Sequence, residues 1–137
     1  MRVVLDSIVF ANALLMQDSE ASRLIRKWRE GKINLVTAEP QLSELLRAMR
    51  SSPIGERLNP SAAEQLVNSL RGLCVMVKKP RLMDVLPNMY DNYLLAIAHG
   101  GAAGYLVTDD EQDLLALKKY EGTEILSVND FLAQTGG

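Results

Sequence analysis

Five carboxylates stand where the chain changes character. Asp6 closes the β-branched run Val3-Val4-Leu5, and Asp110 follows Leu106-Val107-Thr108-Asp109. Asp91 opens the apolar segment Asp91-Asn92-Tyr93-Leu94-Leu95-Ala96-Ile97-Ala98, Asp113 lies three residues beyond Asp110, and Glu44 follows Pro40 by one helical turn. Gathered carboxylates repel one another and take up protons unless a divalent ion neutralises them. Oxygen ligands suit the hard ions Mg²⁺ and Mn²⁺, which activate water and stabilise charge on both oxygens exchanged at a phosphodiester. Metal-dependent phosphoester hydrolysis is the chemistry these residue types offer.

Each acid also has a plain structural use. Asp6 and Asp110 can end strands and begin helices, and Asp110 with Asp113 has the spacing of an acidic capping box. Glu44 falls about 150° around its helix from the stripe Leu42, Leu45, Leu46 and Met49, as a solvated glutamate does. Asp91 is the most telling, because it shares the face of Leu94, Leu95 and Ala98, where a carboxylate is partly desolvated unless it caps the helix.

The elements that must position these acids follow from periodicity. Val3–Leu5, Ile33–Thr37, Cys74–Val77, Tyr105–Val107 and Glu124–Leu126 read as five short strands. Between them lie helical segments: Ser7–Leu15; Ser19–Glu30, with Ala21, Leu24, Ile25 and Trp28 on one face; a helix opened by Pro40; and one introduced by Asn59-Pro60. Pro53 and Gly55 break the pattern between the last two. Lys78–Asn88, with two prolines, reads as a surface connection; the Asp91 helix ends at Gly100-Gly101, and helices over Asp110–Lys118 and Asp130–Ala133 follow. Strands alternating with helices imply an α/β fold with a mainly parallel five-stranded sheet covered on both faces, whose ligands bind at the carboxyl ends of the strands. Asp6 and Asp110 should share that rim, with Asp91 and Asp113 in first turns that start near it.

At 137 residues the chain is expected to form a single domain, 1–137, with a core large enough to need no disulfide or structural metal. Its 47% hydrophobic and 23% charged residues exclude a disordered chain. One cysteine and one histidine cannot make an internal disulfide or a four-ligand zinc site, which points to a reducing, cytoplasmic setting. Asp6 interrupts the apolar start, and no run reaches the roughly 20 apolar residues of a membrane span. A net charge of −2 argues against bulk polyanion binding and allows a local basic face. Arg23, Arg26, Lys27, Arg29 and Lys32 could form one, although a solvated helix face accounts for them more simply. His99 reads as structural, and Met76, Met83 and Met89 form no periodic surface.

Taken in order, these residues resemble the PIN-domain nucleases, especially toxins of the VapC type, over nearly the whole chain. Val3-Val4-Leu5-Asp6-Ser7 is similar to the family's opening strand and first acid, and Ser43-Glu44-Leu45 to its second acidic position. Asp91-Asn92-Tyr93-Leu94-Leu95-Ala96 resembles the third, Leu106 to Leu115 the fourth, and Glu124-Ile125-Leu126 to Phe131-Leu132 the closing strand and helix. The resemblance implies a three-layer α/β/α fold with Asp6, Glu44, Asp91 and Asp110 as catalytic metal ligands and Asp113 supporting them. It also implies Mg²⁺ or Mn²⁺ as cofactor, an RNA substrate, a homodimer and a small antitoxin partner.

Two departures stand out. Where the family usually follows its first acid with Thr-Asn, this chain has Ser7 and Ile8, and before Asp91 it has Leu86-Pro87-Asn88-Met89-Tyr90 in place of an Arg-Asp-Pro-like approach. Ile8 therefore supports a competing reading, a noncatalytic PIN-like module that binds RNA or protein. A haloacid-dehalogenase-like phosphatase needs an aspartate where Ile8 stands. A receiver domain needs a lysine after the fifth strand.

Overall fold

The computed structural model describes residues 1–51, 59–109 and 112–136. Strands β1 (Arg2–Leu5), β2 (Asn34–Thr37), β3 (Val75–Met76), β4 (Tyr105–Val107), β5 (Lys119–Tyr120) and β6 (Thr123–Leu126) form one sheet in the order β3-β2-β1-β4-β6-β5. All neighbouring strands run parallel except β5 and β6. Parallel pairing requires crossovers, which α1 (Ser7–Leu15), α2 (Glu20–Arg29), α3 (Glu39–Arg50), α4 (Pro60–Leu73), α5 (Met89–Gly100) and α6 (Asp113–Leu117) supply, and α7 (Val128–Gln134) follows the last strand. The break expected at Pro53 and Gly55 lies outside the described residues.

Alternation along the strands divides the apolar side chains between two cores. Val3, Leu5, Leu35 and Val107 face α1, α2, α3, α4 and α7, whereas Val4, Val36, Leu106 and Ile125 face α5 and α6. The result is the expected three-layer α/β/α arrangement. Helix α2 buries Ala21, Leu24, Ile25 and Trp28 as its periodicity requires, and Ser19 caps it by accepting from the Ser22 amide at 3.2 Å. Asn59 caps α4 through the Ser61 amide at 2.9 Å, one residue ahead of Pro60. Along α5, Leu94 to Ala98 are each at most 2% exposed, so this helix forms the interior of the second core. Among the described residues no helix is long and apolar enough to cross a membrane.

The sheet has one strand more than the sequence pattern indicates. β5 has only two residues and turns into β6 through Glu121 (φ 45°) and Gly122 (φ 87°), a two-residue connection with both residues in the left-handed region. A Glu-Gly pair is a weaker hairpin signal than Asn-Gly. The segment over 110–118 is correspondingly shorter in helix, with α6 spanning only Asp113–Leu117. His99 is exposed at the end of α5, with its Nδ1 3.2 Å from Glu121 Oε2 of this hairpin. Burial pushes the Cys74 thiol up to about 12, so it carries little thiolate at neutral pH and is a poor nucleophile.

Gly101 ends α5 with φ −96°, which any residue adopts; it is glycine for want of space. A Cβ there would overlap Val36 Cγ1 and lie 3.3 Å from Val77 Cγ2, and Val36 is a branched side chain fixed in the sheet. Gly101→Ala is therefore expected to destabilise the protein by about 1–3 kcal/mol, the usual cost of overpacking a filled core. Urea unfolding measures it, and an unchanged midpoint would show that Val36 can yield.

Candidate active site

Asp6 is the N-cap of α1, with φ −63° and ψ 147°, and its side chain is 6% exposed at the carboxyl end of β1. Oδ1 accepts from the Ile8 amide at 3.4 Å and from the Tyr90 hydroxyl at 3.2 Å, and Oδ2 accepts from the buried Thr108 hydroxyl at 2.8 Å. Both oxygens thus meet hydroxyl donors from elements distant in sequence. Ser7 joins the same network: its amide donates to Tyr90 Oη at 3.1 Å, and its Oγ lies 2.7 Å from that oxygen. A phenol has one proton to give. With the Ser7 amide and hydroxyl both donating to Tyr90, that proton goes to Asp6. Burial, and then the Asp6 charge, push the Tyr90 phenol up to about 12, with smaller opposing contributions from Ser7 and Gln41, so it remains a donor at neutral pH.

Tyr90 also fixes where Asp91 comes to lie. Helix α5 begins after Asn88, whose side chain accepts from the Tyr90 amide at 2.8 Å and the Asp91 amide at 3.2 Å, so the cap role weighed for Asp91 belongs to Asn88. The Tyr90–Asp6 bond holds this first turn over the end of β1. Asp91 is only 4% exposed. A carboxylate at that depth needs compensating partners or an ion.

Opposite Tyr90, Gln41 projects from the first turn of α3 and is 1% exposed. Its Nε2 donates to the Leu5 carbonyl at 2.8 Å, and its Oε1 accepts from Thr37 Oγ1 at 2.6 Å. One amide thus joins the ends of β1 and β2 to α3, immediately before Asp6.

The other expected acids differ in setting. Glu44 is tied to Arg47 by contacts of 2.6 and 3.0 Å, with its side chain 44% exposed, and the hydrogen bond from that guanidinium holds its carboxyl below the usual range. Asp113 is half-buried in the first turn of α6, whose N-cap Gln112 makes no side-chain capping bond. Asp110 lies outside the described residues. Among the described residues no group of three Asp, Glu, His or Cys side chains is placed to hold a metal ion. The donor chemistry nonetheless suits a hard cation, because Asp6 is a buried carboxylate at the carboxyl end of β1 and Asp91 a buried one in the helical turn that Tyr90 ties to Asp6, and Mg²⁺ commonly binds through one or two carboxylates with water and substrate phosphate completing its shell. Among the described residues, no ion pair engages Asp6.

The family model of the PIN domain matches residues 2–112. The chain belongs to the PIN domain family. Its fold is similar to that of VapBC2 from Rickettsia felis, solved bound to a DNA fragment from its promoter, with a TM-score of 0.60, 10% identity, and 93% of this chain and 98% of that chain covered. It is also similar to PAE2754 from Pyrobaculum aerophilum, with a TM-score of 0.59, 19% identity, and 98% of this chain and 88% of that chain covered. No curated protein sequence matches it significantly. PIN domains are in general nucleases that work with divalent cations.

Within this PIN domain, three residues around Asp6 go beyond the carboxylates that sequence reading singles out. Gln41 precedes the apolar stripe of its helix by one residue and lies four before Leu45, so a polar residue on the buried face was the available signal. Tyr90 immediately precedes a recognised motif, and Thr108 lies within one. Their bonds to Asp6 span 84 and 102 residues, which no local pattern reports.

Proposed function

We propose that the protein is a metal-dependent endoribonuclease, the toxin component of a toxin-antitoxin pair. The observation that carries this reading is the burial of Asp6 at the carboxyl end of β1 and of Asp91 in the helical turn that Tyr90 ties to it, in a PIN-domain chain. Asp6 and Asp91 would hold Mg²⁺ or Mn²⁺, with Asp110 and, on the margin, Glu44 and Asp113 contributing through water. A bound divalent ion supplies Lewis acidity to the scissile phosphate and lowers the pKa of the attacking water. The chain's own part is orientation: Thr108 and Tyr90 fix the two Asp6 oxygens, and Gln41 fixes the backbone just before them. The toxin role, with a small antitoxin and a homodimer of single-domain chains, rests on the likeness to VapC-type proteins and on the fold shared with VapBC2.

The second reading, a noncatalytic binding module, draws on the full engagement of both Asp6 oxygens by protein donors and on the pairing of Glu44 with Arg47. Cleavage of a labelled, structured RNA in Mg²⁺, Mn²⁺ or chelator decides between them. Metal-dependent cleavage supports the nuclease; ion binding without cleavage across several RNAs supports the module.

Tyr90→Phe keeps the ring and removes the donor to Asp6. It is expected to weaken Mn²⁺ binding by about 10–100-fold, the usual loss for an outer-shell partner. Thermal stability without metal should change by only about 1 kcal/mol. Calorimetric titration with Mn²⁺ reads the first effect directly, and equal affinity in the variant would mean that Asp6 needs no orientation from Tyr90.

A further inference from the structure

Between β3 and α5 the chain runs through residues 78–88 without helix or strand, carrying Pro80 and Pro87. Met83, Val85 and Leu86 of this strap are partly buried against the second core. Its polar attachments go to a single side chain. Among the described residues, the only hydrogen bonds made by residues 78–87 are with Asn92, and no ion pair engages them.

Asn92 lies in the first turns of α5, next to Asp91, and is 7% exposed. Its Oδ1 accepts from the Val85 amide at 3.0 Å and the Leu86 amide at 2.8 Å, and its Nδ2 donates to the Leu86 carbonyl at 2.7 Å. The helix itself has no use for this residue, since asparagine is a poor helix former inside a helix. Its bonds instead close a ring. Leu86 leads through Pro87, whose φ is fixed, to Asn88, which accepts from the Tyr90 and Asp91 amides; the Asn92 amide then returns to the Asn88 carbonyl at 3.2 Å.

The ring surrounds the part of α5 that packing leaves loose. Leu94 to Ala98 are buried and hold the body of the helix, whereas Met89 in its first turn is 81% exposed. First turns fray readily, because their amides have no partner within the helix. This one carries Asp91 and the Tyr90 hydroxyl that donates to Asp6.

We propose that Asn92 is a positioning residue: by clasping Val85 and Leu86 it keeps the first turn of α5 wound, and so keeps Tyr90 on Asp6 and Asp91 beside it. The inference deepens the nuclease reading and rests on it for its bearing on catalysis. Asn92 itself touches neither ion nor substrate in this role.

The test begins with amide hydrogen exchange of the full chain without metal. In Asn92→Ala the Tyr90 and Asp91 amides, which Asn92 does not touch, should exchange about tenfold faster, and the amides of α4 should be unaffected. Asn92→Asp still accepts from both strap amides and should lose less protection. Calorimetric titration of Asn92→Ala should show Mn²⁺ affinity lowered by about tenfold, the lower end for a partner outside the ion's own shell. Val67→Ala, a core change in α4, should lower the melting temperature and leave Mn²⁺ affinity unchanged. Unaltered exchange at Tyr90 and Asp91 in Asn92→Ala would overturn the proposal, as would an equal rise in α4, which would make Asn92 a residue of general stability. So would an equal loss in Asn92→Asp, or parental Mn²⁺ affinity in Asn92→Ala despite faster exchange. Cleavage by the unsubstituted protein is scored separately. RNA cleavage with exchange unaltered in Asn92→Ala sinks the clasp alone, whereas exchange altered as expected, without RNA cleavage by the unsubstituted protein, sinks the nuclease alone.

Discussion

Replacing Asp6 or Asp91 by asparagine is expected to abolish metal-dependent RNA cleavage while leaving the protein folded. The loss should exceed the roughly 10–100-fold that follows removal of an outer-shell partner, because each substitution removes a charge that would face the ion directly. The fold should survive for a reason visible at Asp6. An asparagine can keep Oδ1 as acceptor for the Tyr90 hydroxyl and place its amide at Thr108, whose hydroxyl can turn to accept. Thermal melts with and without Mn²⁺ separate these effects. The unsubstituted protein gains about 2.7 kcal/mol at an ion concentration 100 times its dissociation constant, and the variants gain much less. Full cleavage by either variant, or an undiminished gain from Mn²⁺, would remove that carboxylate from the site.

The parts of this site legible in sequence are those written in local pattern. Asp6 ends a β-branched run and Asp91 opens a helix apolar on nearly every side, so both could be placed on the rim where strands end. The same periodicity gave the core face of α2, and the alternation of strands with helices gave a sheet covered on both faces. What local pattern does not carry is the direction of a polar side chain. Glu44 and Gln41 lie within one turn of each other on α3, yet Gln41 reaches the Leu5 carbonyl while Glu44 turns outward to Arg47. Family resemblance favours Glu44 and says nothing of Gln41. Only packing separates them, since the apolar face containing Leu42, Leu45 and Met49 also includes position 41. Strand β5 was missed for a related reason: two residues cannot show a period, and the pairing of Tyr120 with Thr123 is set by backbone angles at Glu121 and Gly122.

Gln41 is therefore the residue whose replacement tests the scaffold apart from its charges. Gln41→Leu preserves volume and removes the bonds to the Leu5 carbonyl and the Thr37 hydroxyl, both at the buried ends of strands. Two buried polar groups deprived of a partner cost about 2–4 kcal/mol together, which for a domain of this size lowers the melting temperature by roughly 10 °C. Gln41→Glu separates hydrogen bonding from packing. As a carboxylate it still accepts from Thr37 but cannot donate to Leu5, and its burial beside Asp6 raises its folded-state pKa above the unfolded value of about 4.3. Protonated, it donates again. A raised folded pKa contributes stability that is fully present below the unfolded value and is lost as pH rises through the folded one. The deficit of Gln41→Glu relative to the parent should thus narrow toward pH 4 and widen by pH 8, whereas that of Gln41→Leu should stay constant. Urea unfolding of the three proteins at both pH values measures this, and a pH-independent deficit in Gln41→Glu would mean that shape, not the bond to Leu5, keeps Gln41 beneath Asp6.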